Sequence, residues 1–530
     1  MIAVVAKPAP AERGDAGAPR IVPFLLRRDR IVLPLWILGT AGLLLSSASA
    51  AGNTYPTAQA RAERYQQLQE LPIFVLFQSA AFDDTLPALA AQQAFGATTI
   101  LAAIGAMLLV VRHTRAEEQH GRRELLGSTA IGRNAGVAAT LLIVLAAGVL
   151  IGLLGIVGLA AAGLPAPGSL LLGLIVCGAA WIGAVLGAVL AQITENARTA
   201  GVAGVVLVLG LHYLRGIGHV AGPGMEWISM LSPAGWLEGV RPYAGDRWPM
   251  LLLVVGFVVL GALAALALSS RRDLGMGLLA PREGRAPAPA YLRGVFGLAW
   301  RQNATSFLTW AAAIAVVGVA FGSVGAGAMA EYADSPWIAE YAATMRISDP
   351  AQTFFVYVVF VFVFPIAAYA ILTALRLRSD ETTGKAELLL SVPLTRSRWA
   401  VATILAALIG PAALLIILGL SLTAPDVNGM FPLTLSLIPA VWVIVGIVVL
   451  AIGFVPSAAF PVAWAALGIG IAGEILVKAG LPDVIYLATS PIAHVNPYYT
   501  TPTSWLVLLV ITAITIALGV VGIGRRDLDR

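Results

Sequence analysis

Two short charged segments of this chain carry nearly the same residues in the same order. The first runs from Arg115 to Arg133 and the second from Arg378 to Arg396. Between its arginines, each copy has acids, a glycine, a base and an apolar pair, which together are typical of a protein-binding surface. The shared positions are Glu118, Gly121, Arg122, Glu124, Leu125 and Leu126 in the first copy, and Glu381, Gly384, Lys385, Glu387, Leu388 and Leu389 in the second.

The same residues do not form a pattern expected of an enzyme. The loops contain no paired carboxylates, histidine-rich metal motif or Ser-His constellation, and the one cysteine, Cys177, lies in an apolar run. No Gly-x-x-x-x-Gly-Lys-[Ser/Thr] sequence occurs, so nucleotide binding is not expected. We predict no catalytic residue, no metal and no cofactor bound by this chain.

The composition indicates an all-α polytopic membrane protein. Hydrophobic residues make up 59% of the 530-residue chain and charged residues 12%, whereas soluble domains carry about 25% charged residues. A membrane-spanning helix needs roughly 20 apolar residues. By that rule about twelve spans are predicted, near 31–52, 88–111, 135–162, 169–192, 199–217, 249–270, 305–326, 353–375, 399–422, 431–454, 459–477 and 503–523.

The basic residues predict the orientation of these spans. If the N-terminus lies inside, most of the 33 Lys and Arg residues fall on the inner side. Positive charge collects in cytoplasmic loops, so both termini and both charged segments are predicted to be cytoplasmic. The net charge of +5 therefore reflects membrane topology, and we expect no nucleic-acid partner.

Four short sequence landmarks occur in the first half of the chain and again, in the same order, in the second half. This recurrence predicts two parallel six-span repeats with pseudo-two-fold symmetry about the membrane normal. The landmarks are Arg27 to Trp36 with Arg301 to Trp310, the charged segments, Ser232-Pro233 with Ser490-Pro491, and Arg271-Arg272 with Arg525-Arg526. The predicted organisation is a disordered tail at 1–20, a first repeat at 21–275, a cytoplasmic linker at 276–290 and a second repeat at 291–530.

The segment pattern Arg-x-x-Glu-x-x-Gly-[Arg/Lys]-x-Glu-Leu-Leu-x-Ser, between the second and third span of each half, resembles the permeases of type-2 ABC exporters. It is most similar to the fused twelve-span tetronasin or polyketide-antibiotic exporters of actinobacteria. The resemblance implies a multi-pass permease of the bacterial cytoplasmic membrane that exports hydrophobic drugs. It also implies that each segment is a coupling helix, and that two copies of a separate ATP-binding subunit supply ATP and Mg²⁺.

If the segments are coupling helices, we expect Glu118 and Glu381 to anchor them on the ATPase and the Leu-Leu pairs to fill an apolar groove on it. The resemblance also implies a substrate cavity between the second and fifth spans of each half. Aromatic stripes and interfacial ion pairs are equally ordinary in membrane helices, so packing is the alternative role. The candidate cavity residues are Gln92, Phe95, His212, Phe354, Phe355, Tyr357 and Glu474.

Two other classes of protein compete with this interpretation. A proton-driven transporter of the major facilitator type also has six plus six spans and a Gly-Arg-Arg motif after its second span, as at Gly121. The segment here is longer than that tight loop. A lipid-modifying membrane enzyme lacks support from any catalytic constellation. The charged segments themselves could also be solvated loops copied passively.

Overall fold

The computed structural model is helical and confirms the predicted all-α class. Within its described residues there is no strand, and twelve helices are long and apolar enough to cross a membrane. The structure describes residues 17–70, 75–76, 78–119, 121, 132–220, 224–272, 276–278, 292, 294–322, 350–422, 429–478, 482–497, 500–501 and 503–526.

The chain divides into two compact units, Met1–Glu283 and Gly284–Arg530. This boundary falls within the predicted linker at 276–290. Each unit contains six of the long apolar helices. The symmetric arrangement of two repeats stays a prediction, and each unit is described separately below.

The first unit is organised around one central helix, α6, which packs against α4, α5 and α9. Glycines permit the closest of these approaches, because a Cβ on Gly183 of α6 would lie 2.0 Å from the Ala103 carbonyl oxygen of α4. The helices are α1 (Ala18–Arg28), α2 (Val32–Thr54), α3 (Ala58–Glu70), α4 (Leu86–Val111), α5 (Ala135–Ala161), α6 (Ala166–Ile193), α7 (Ala197–Val220), α8 (Pro233–Glu238) and α9 (Met250–Arg271).

Helix α4 does not stop at the end of its apolar run. It continues through a π-helical turn, Arg112–Ala116, and one further turn, Glu117–Gln119. The helix thereby carries the first charged segment directly on its end. Single π-helical turns inside α-helices are frequent at functional sites.

The second unit has its closest helix pair between α16 and α19, where a Cβ on Gly519 would lie 2.7 Å from the Val449 carbonyl oxygen. Its helices are α10 (Val295–Gly322), α11 (Pro350–Ala374), α12 (Arg376–Thr382), α13 (Lys385–Leu390), α14 (Arg396–Ser421), α15 (Met430–Ser436), α16 (Ile438–Phe454), α17 (Ala459–Lys478), α18 (Asp483–Thr489) and α19 (Ser504–Arg525).

One inter-helix hydrogen bond occurs in the same place in each unit. Trp181 Nε1 of α6 donates to the Leu145 carbonyl oxygen of α5 at 2.9 Å. Trp442 Nε1 of α16 donates to the Leu408 carbonyl oxygen of α14 at 3.0 Å. The third and fourth long helices of both units are therefore tied by an indole at the corresponding position, which supports the predicted repeat.

Most observed helix ends differ by at least one residue from the predicted boundaries, and three differences are large or have a structural explanation. Helix α1 begins at Ala18, within the predicted tail, and residues 1–16 lie outside the described part. The span predicted near 305–326 starts at Val295, because Arg301 has an exposed side chain that a helix end tolerates. The span near 431–454 is divided at Leu437, where Pro439 cannot donate to the preceding turn.

We predict that Gly183→Ala destabilises the protein, because the added methyl would overlap backbone of α4 that cannot move away cheaply. Overpacking of this kind costs about 1–3 kcal/mol. Thermal unfolding of the purified chain in detergent measures the effect. Gly256→Ala is the matched control, since nothing lies within 4 Å of a Cβ built there. Equal melting temperatures for the two variants would contradict the close packing of α4 and α6.

Candidate functional site

The first charged segment is anchored by a buried carboxylate, that of Glu118, whose side chain is 2% exposed. Arg115 Nη1 lies 2.6 Å from Glu118 Oε2. Arg272, just after α9, contacts both carboxylate oxygens at 2.6 and 2.8 Å. Arg115 Nε also donates to the Glu195 carbonyl oxygen at 2.7 Å, between α6 and α7. The segment is thus joined to the ends of α6 and α9.

The second segment has the same arrangement around Glu381, whose side chain is fully buried. Arg378 Nη1 lies 3.2 Å from Glu381 Oε2, and Arg526 Nη2 lies 2.5 Å from Glu381 Oε1. Arg526 directly follows α19, as Arg272 directly follows α9. Each unit therefore places one acid between an arginine of its segment and an arginine that follows its last long helix.

A further arginine closes the other end of each segment. Arg133 donates to the carbonyl oxygen of Arg272, and Arg396 donates to that of Arg526. Both contacts involve the same residues that hold the buried acids. Because both ends of the second segment attach to Arg526, its residues between Arg378 and Arg396 form a closed loop on the last long helix. We call Glu118 with its two arginines, and Glu381 with its two, the carboxylate clamps.

This geometry differs from the expectation that Glu118 and Glu381 contact a partner protein. An acid buried this deeply must be paired within the chain, because an uncompensated buried charge is strongly destabilising. The sequence contained the signal, since Arg272 and Arg526 were recognised as matching landmarks. The arginines are 154 and 145 residues away from the acids that they contact. The spacing of neighbouring residues therefore could not predict these pairs.

The clamps leave an apolar surface exposed in the second segment. Gly384 has φ 73°, a left-handed conformation that suits glycine and reverses the chain between α12 and α13. Helix α13 then presents Leu388, which is 75% exposed, with Lys385 and Glu387 also exposed. Leu389 is half-buried, and Ala386 on the opposite face is buried. Exposed apolar groups framed by charges are typical of a docking surface.

The first segment is described only in part. Gly121 also adopts a left-handed conformation, with φ 68°, which matches the turn at Gly384. Arg122, Glu124, Leu125 and Leu126 lie outside the described residues, so their correspondence with α13 remains a prediction.

Each segment also contacts the chain at or just before the first long helix of its unit, but the residues that make this contact differ between the units. In the first unit Asp29, which follows α1, forms a buried hydrogen bond with His113 of the π-helical turn. In the second unit Arg376 Nη1 donates to Asn303 Oδ1 at 3.1 Å and to the Gln302 carbonyl oxygen at 2.7 Å. The position of the contact is shared, whereas the carboxylate and the imidazole are replaced by an amide and an arginine.

Three candidate cavity residues come together in the first unit, where all are buried. Phe95 and His212 stack with ring centroids 6.4 Å apart. Gln92 Nε2 donates to Gln78 Oε1 at 2.8 Å and to the Ser79 carbonyl oxygen at 3.1 Å. The Gln92 amide group thus donates its hydrogen bonds within the protein. Phe95 and His212 form a pair of stacked aromatic rings beside it.

The remaining candidates lie in the second unit. Phe354 and Phe355 are buried and meet edge to face at 5.5 Å, while Tyr357 on the same helix is partly exposed. Glu474 belongs to α17, but its side chain lies outside the described part. These residues stay predicted cavity residues.

Sequence reasoning missed a polar cluster at the far end of α7. Glu238 Oε1 lies 2.5 Å from Arg215 Nη1 and its Oε2 lies 2.8 Å from His219 Nε2. Burial raises the pKa of the Glu238 carboxyl, but Arg215, His219 and the Ala80 N–H together lower that pKa to about 2. The ionised acid thus holds the segment around Ala80 and helix α8 on α7. Among the described residues no group of acids, histidines or cysteines could hold a metal ion.

We predict that Glu118→Gln and Glu381→Gln each lower the melting temperature of the purified chain. Each substitution leaves two arginines without their buried counter-charge, a change that costs about 3–5 kcal/mol for a fully buried pair. Glu387→Gln, on the exposed face of α13, is the control and should leave the melting temperature unchanged. Unaltered unfolding of both clamp variants would show that the clamps do not hold the segments.

Comparison with known proteins places this chain in a family. Residues 292–525 match the family described as the C-terminal domain of the multidrug efflux system permease Rv1217c. Over 97% of its length the chain is 33% identical to the multidrug efflux system permease protein Rv1217c of Mycobacterium tuberculosis, and the match covers 96% of that protein. Together with its twelve apolar helices, this similarity shows that the chain is a multi-pass membrane protein belonging to the multidrug efflux permease family.

Proposed function

We propose that this chain is the membrane subunit of an ATP-driven exporter, and that a separate ATPase drives it by docking on the two charged segments. The observation that carries the proposal is the combination of a buried clamp and an exposed apolar helix. The clamp fixes the position of α13, and Leu388 projects from it. The chain has no nucleotide-binding motif of its own, so hydrolysis belongs to a partner.

The clamps provide a route from a docked subunit to the membrane helices. Helix α12 follows α11 after a single residue, Leu375. Glu381 at the end of α12 is paired with Arg526 at the end of α19. A displacement of α13 is therefore passed to α11 and α19 through backbone and buried ion pairs, which resist stretching. Such contiguous rigid contacts are the physical means by which two distant sites are coupled.

The side of the membrane on which the ATPase docks follows from this arrangement, and the direction of transport is proposed from the similar efflux permease. ATP is available in the cytoplasm, so the segments and both termini are proposed to lie there, in agreement with the distribution of Lys and Arg. The relative is a multidrug efflux permease by name, and we propose export of hydrophobic compounds for this chain as well. The aromatic pairs Phe95 with His212 and Phe354 with Phe355 are suited to such substrates.

The proposal predicts that Leu388→Ala weakens ATPase binding and export. A well-packed apolar anchor at a protein interface is worth about 1–2 kcal/mol, so binding should fall roughly 5- to 30-fold. Copurification of the ATPase and drug efflux at matched expression are the measurements. Leu308→Ala is the matched control, because this leucine is 62% exposed on α10, away from the segments. Equal losses in both variants, or none, would rule out α13 as the docking helix.

The proposal also predicts the stoichiometry of the complex. One chain contains two charged segments, so one copy should bind two ATPase subunits. Native mass spectrometry of the purified active complex gives the copy numbers directly. Two copies of this chain for each pair of ATPase subunits would refute the proposed arrangement.

A further inference from the structure

An aromatic groove opens on the surface of the second unit, between α10, α11 and α14. The cavity has a volume of about 140 Å³. Phe296, Trp300 and Phe307 of α10 form one wall, and Tyr369 of α11 lies behind them. Trp300 is 48% exposed, and Phe296 is similarly exposed. The groove therefore opens toward the surroundings of the membrane helices and is not a closed core cavity.

Small residues of α14 form the floor of this groove. Ala402 and Gly410 are buried and Ala406 is partly buried. Gly410 is required beneath Tyr369, because a Cβ there would lie 2.7 Å from the tyrosine hydroxyl oxygen. The depth of the groove thus depends on the absence of larger side chains along one face of α14.

Larger side chains stand in the first unit at two positions that are alanines in the second. The matching landmarks align Leu25 with Ala299 and Ile143 with Ala406. Leu25 is buried in an apolar cluster with Ala139, and Ile143 packs against that cluster. Each alanine of the second unit lacks three carbon atoms of its counterpart. Ile143 thus packs against the cluster in the first unit, whereas Ala406 at the corresponding position lines the open groove of the second.

Positive charge surrounds one end of the groove. Arg398 lies one turn before Ala402, on the same face of α14, and its side chain is exposed. Arg301 follows Trp300 and is also exposed. Arg376 donates to Asn303, which is itself part of the groove lining. This end of the groove is the one that carries α12 and α13, at the polar boundary of the helices.

We propose that the groove binds an acyl chain of an anionic phospholipid, with the net negative charge of its headgroup placed beside Arg398. An apolar cavity of about 150 Å³ holds a benzene-sized group, so this groove takes a stretch of about six acyl carbons. Lipid is always present at an open apolar groove in a membrane, and the arginines favour a negatively charged headgroup. The proposal is independent of the partner ATPase and of the transported compound.

The test uses Trp300 as a reporter in the full chain reconstituted in phosphatidylcholine vesicles. Brominated acyl chains quench a nearby indole on contact. The fluorescence of Trp300 is obtained by subtracting the emission of the Trp300→Phe variant from that of the wild-type chain. We expect brominated phosphatidylglycerol to quench this signal at lower mole fraction than brominated phosphatidylcholine does.

Two variants separate the headgroup from the acyl chain. Arg398→Gln should reduce the preference for phosphatidylglycerol about fivefold, and this exposed residue can change without disturbing the core. Arg525→Gln, an exposed arginine at the end of α19, is the matched control and should leave the preference intact. Ala406→Ile should fill the groove and reduce quenching by both lipids.

Equal quenching by the two lipids, or an unchanged preference in Arg398→Gln, would overturn the proposed headgroup contact. Undiminished quenching in Ala406→Ile, with a normal unfolding transition, would overturn the proposed acyl-chain position. Displacement of the brominated lipid by a hydrophobic dye at a much lower mole fraction would assign the groove to a transported compound instead.

Discussion

The structure depends on one kind of contact, a carboxylate buried between two arginines that come from distant parts of the chain. Removing such charges from water costs several kcal/mol for each ion, and good geometry is needed to offset that cost. Glu118 and Glu381 meet this requirement with short contacts to both partners. The position of each segment is then fixed only when the second and last long helices of its unit are both in place.

This requirement explains what could be predicted from sequence and what could not. The twelve long helices follow from apolar length alone, and the segments from their matching residues. The role of the acids did not follow, because Arg272 and Arg526 are remote from Glu118 and Glu381 and local spacing carries no record of the contact. Likewise, the buried contacts of Glu238 were not predicted, because its partners Arg215 and His219 lie on α7 and a loop separates that helix from Glu238.

The two units share a framework but differ in local chemistry. The clamps and the indole contacts of Trp181 and Trp442 occur in both. The contact at the start of each segment joins Asp29 to His113 in the first unit and Asn303 to Arg376 in the second. The open groove beside Trp300 belongs to the second unit. Similar scaffolds thus carry different side-chain contacts at the start of the segment and a different surface beside the first long helix.

The exposure of Leu388 has a consequence for handling this protein. Val392, soon after α13, is also largely exposed, so the segment holds an apolar patch beyond the apolar part of the helices. A detergent micelle covers the hydrocarbon belt and leaves such a patch in water, where it favours self-association. Coexpression with the proposed ATPase would shield the patch from the time of synthesis if that subunit docks there.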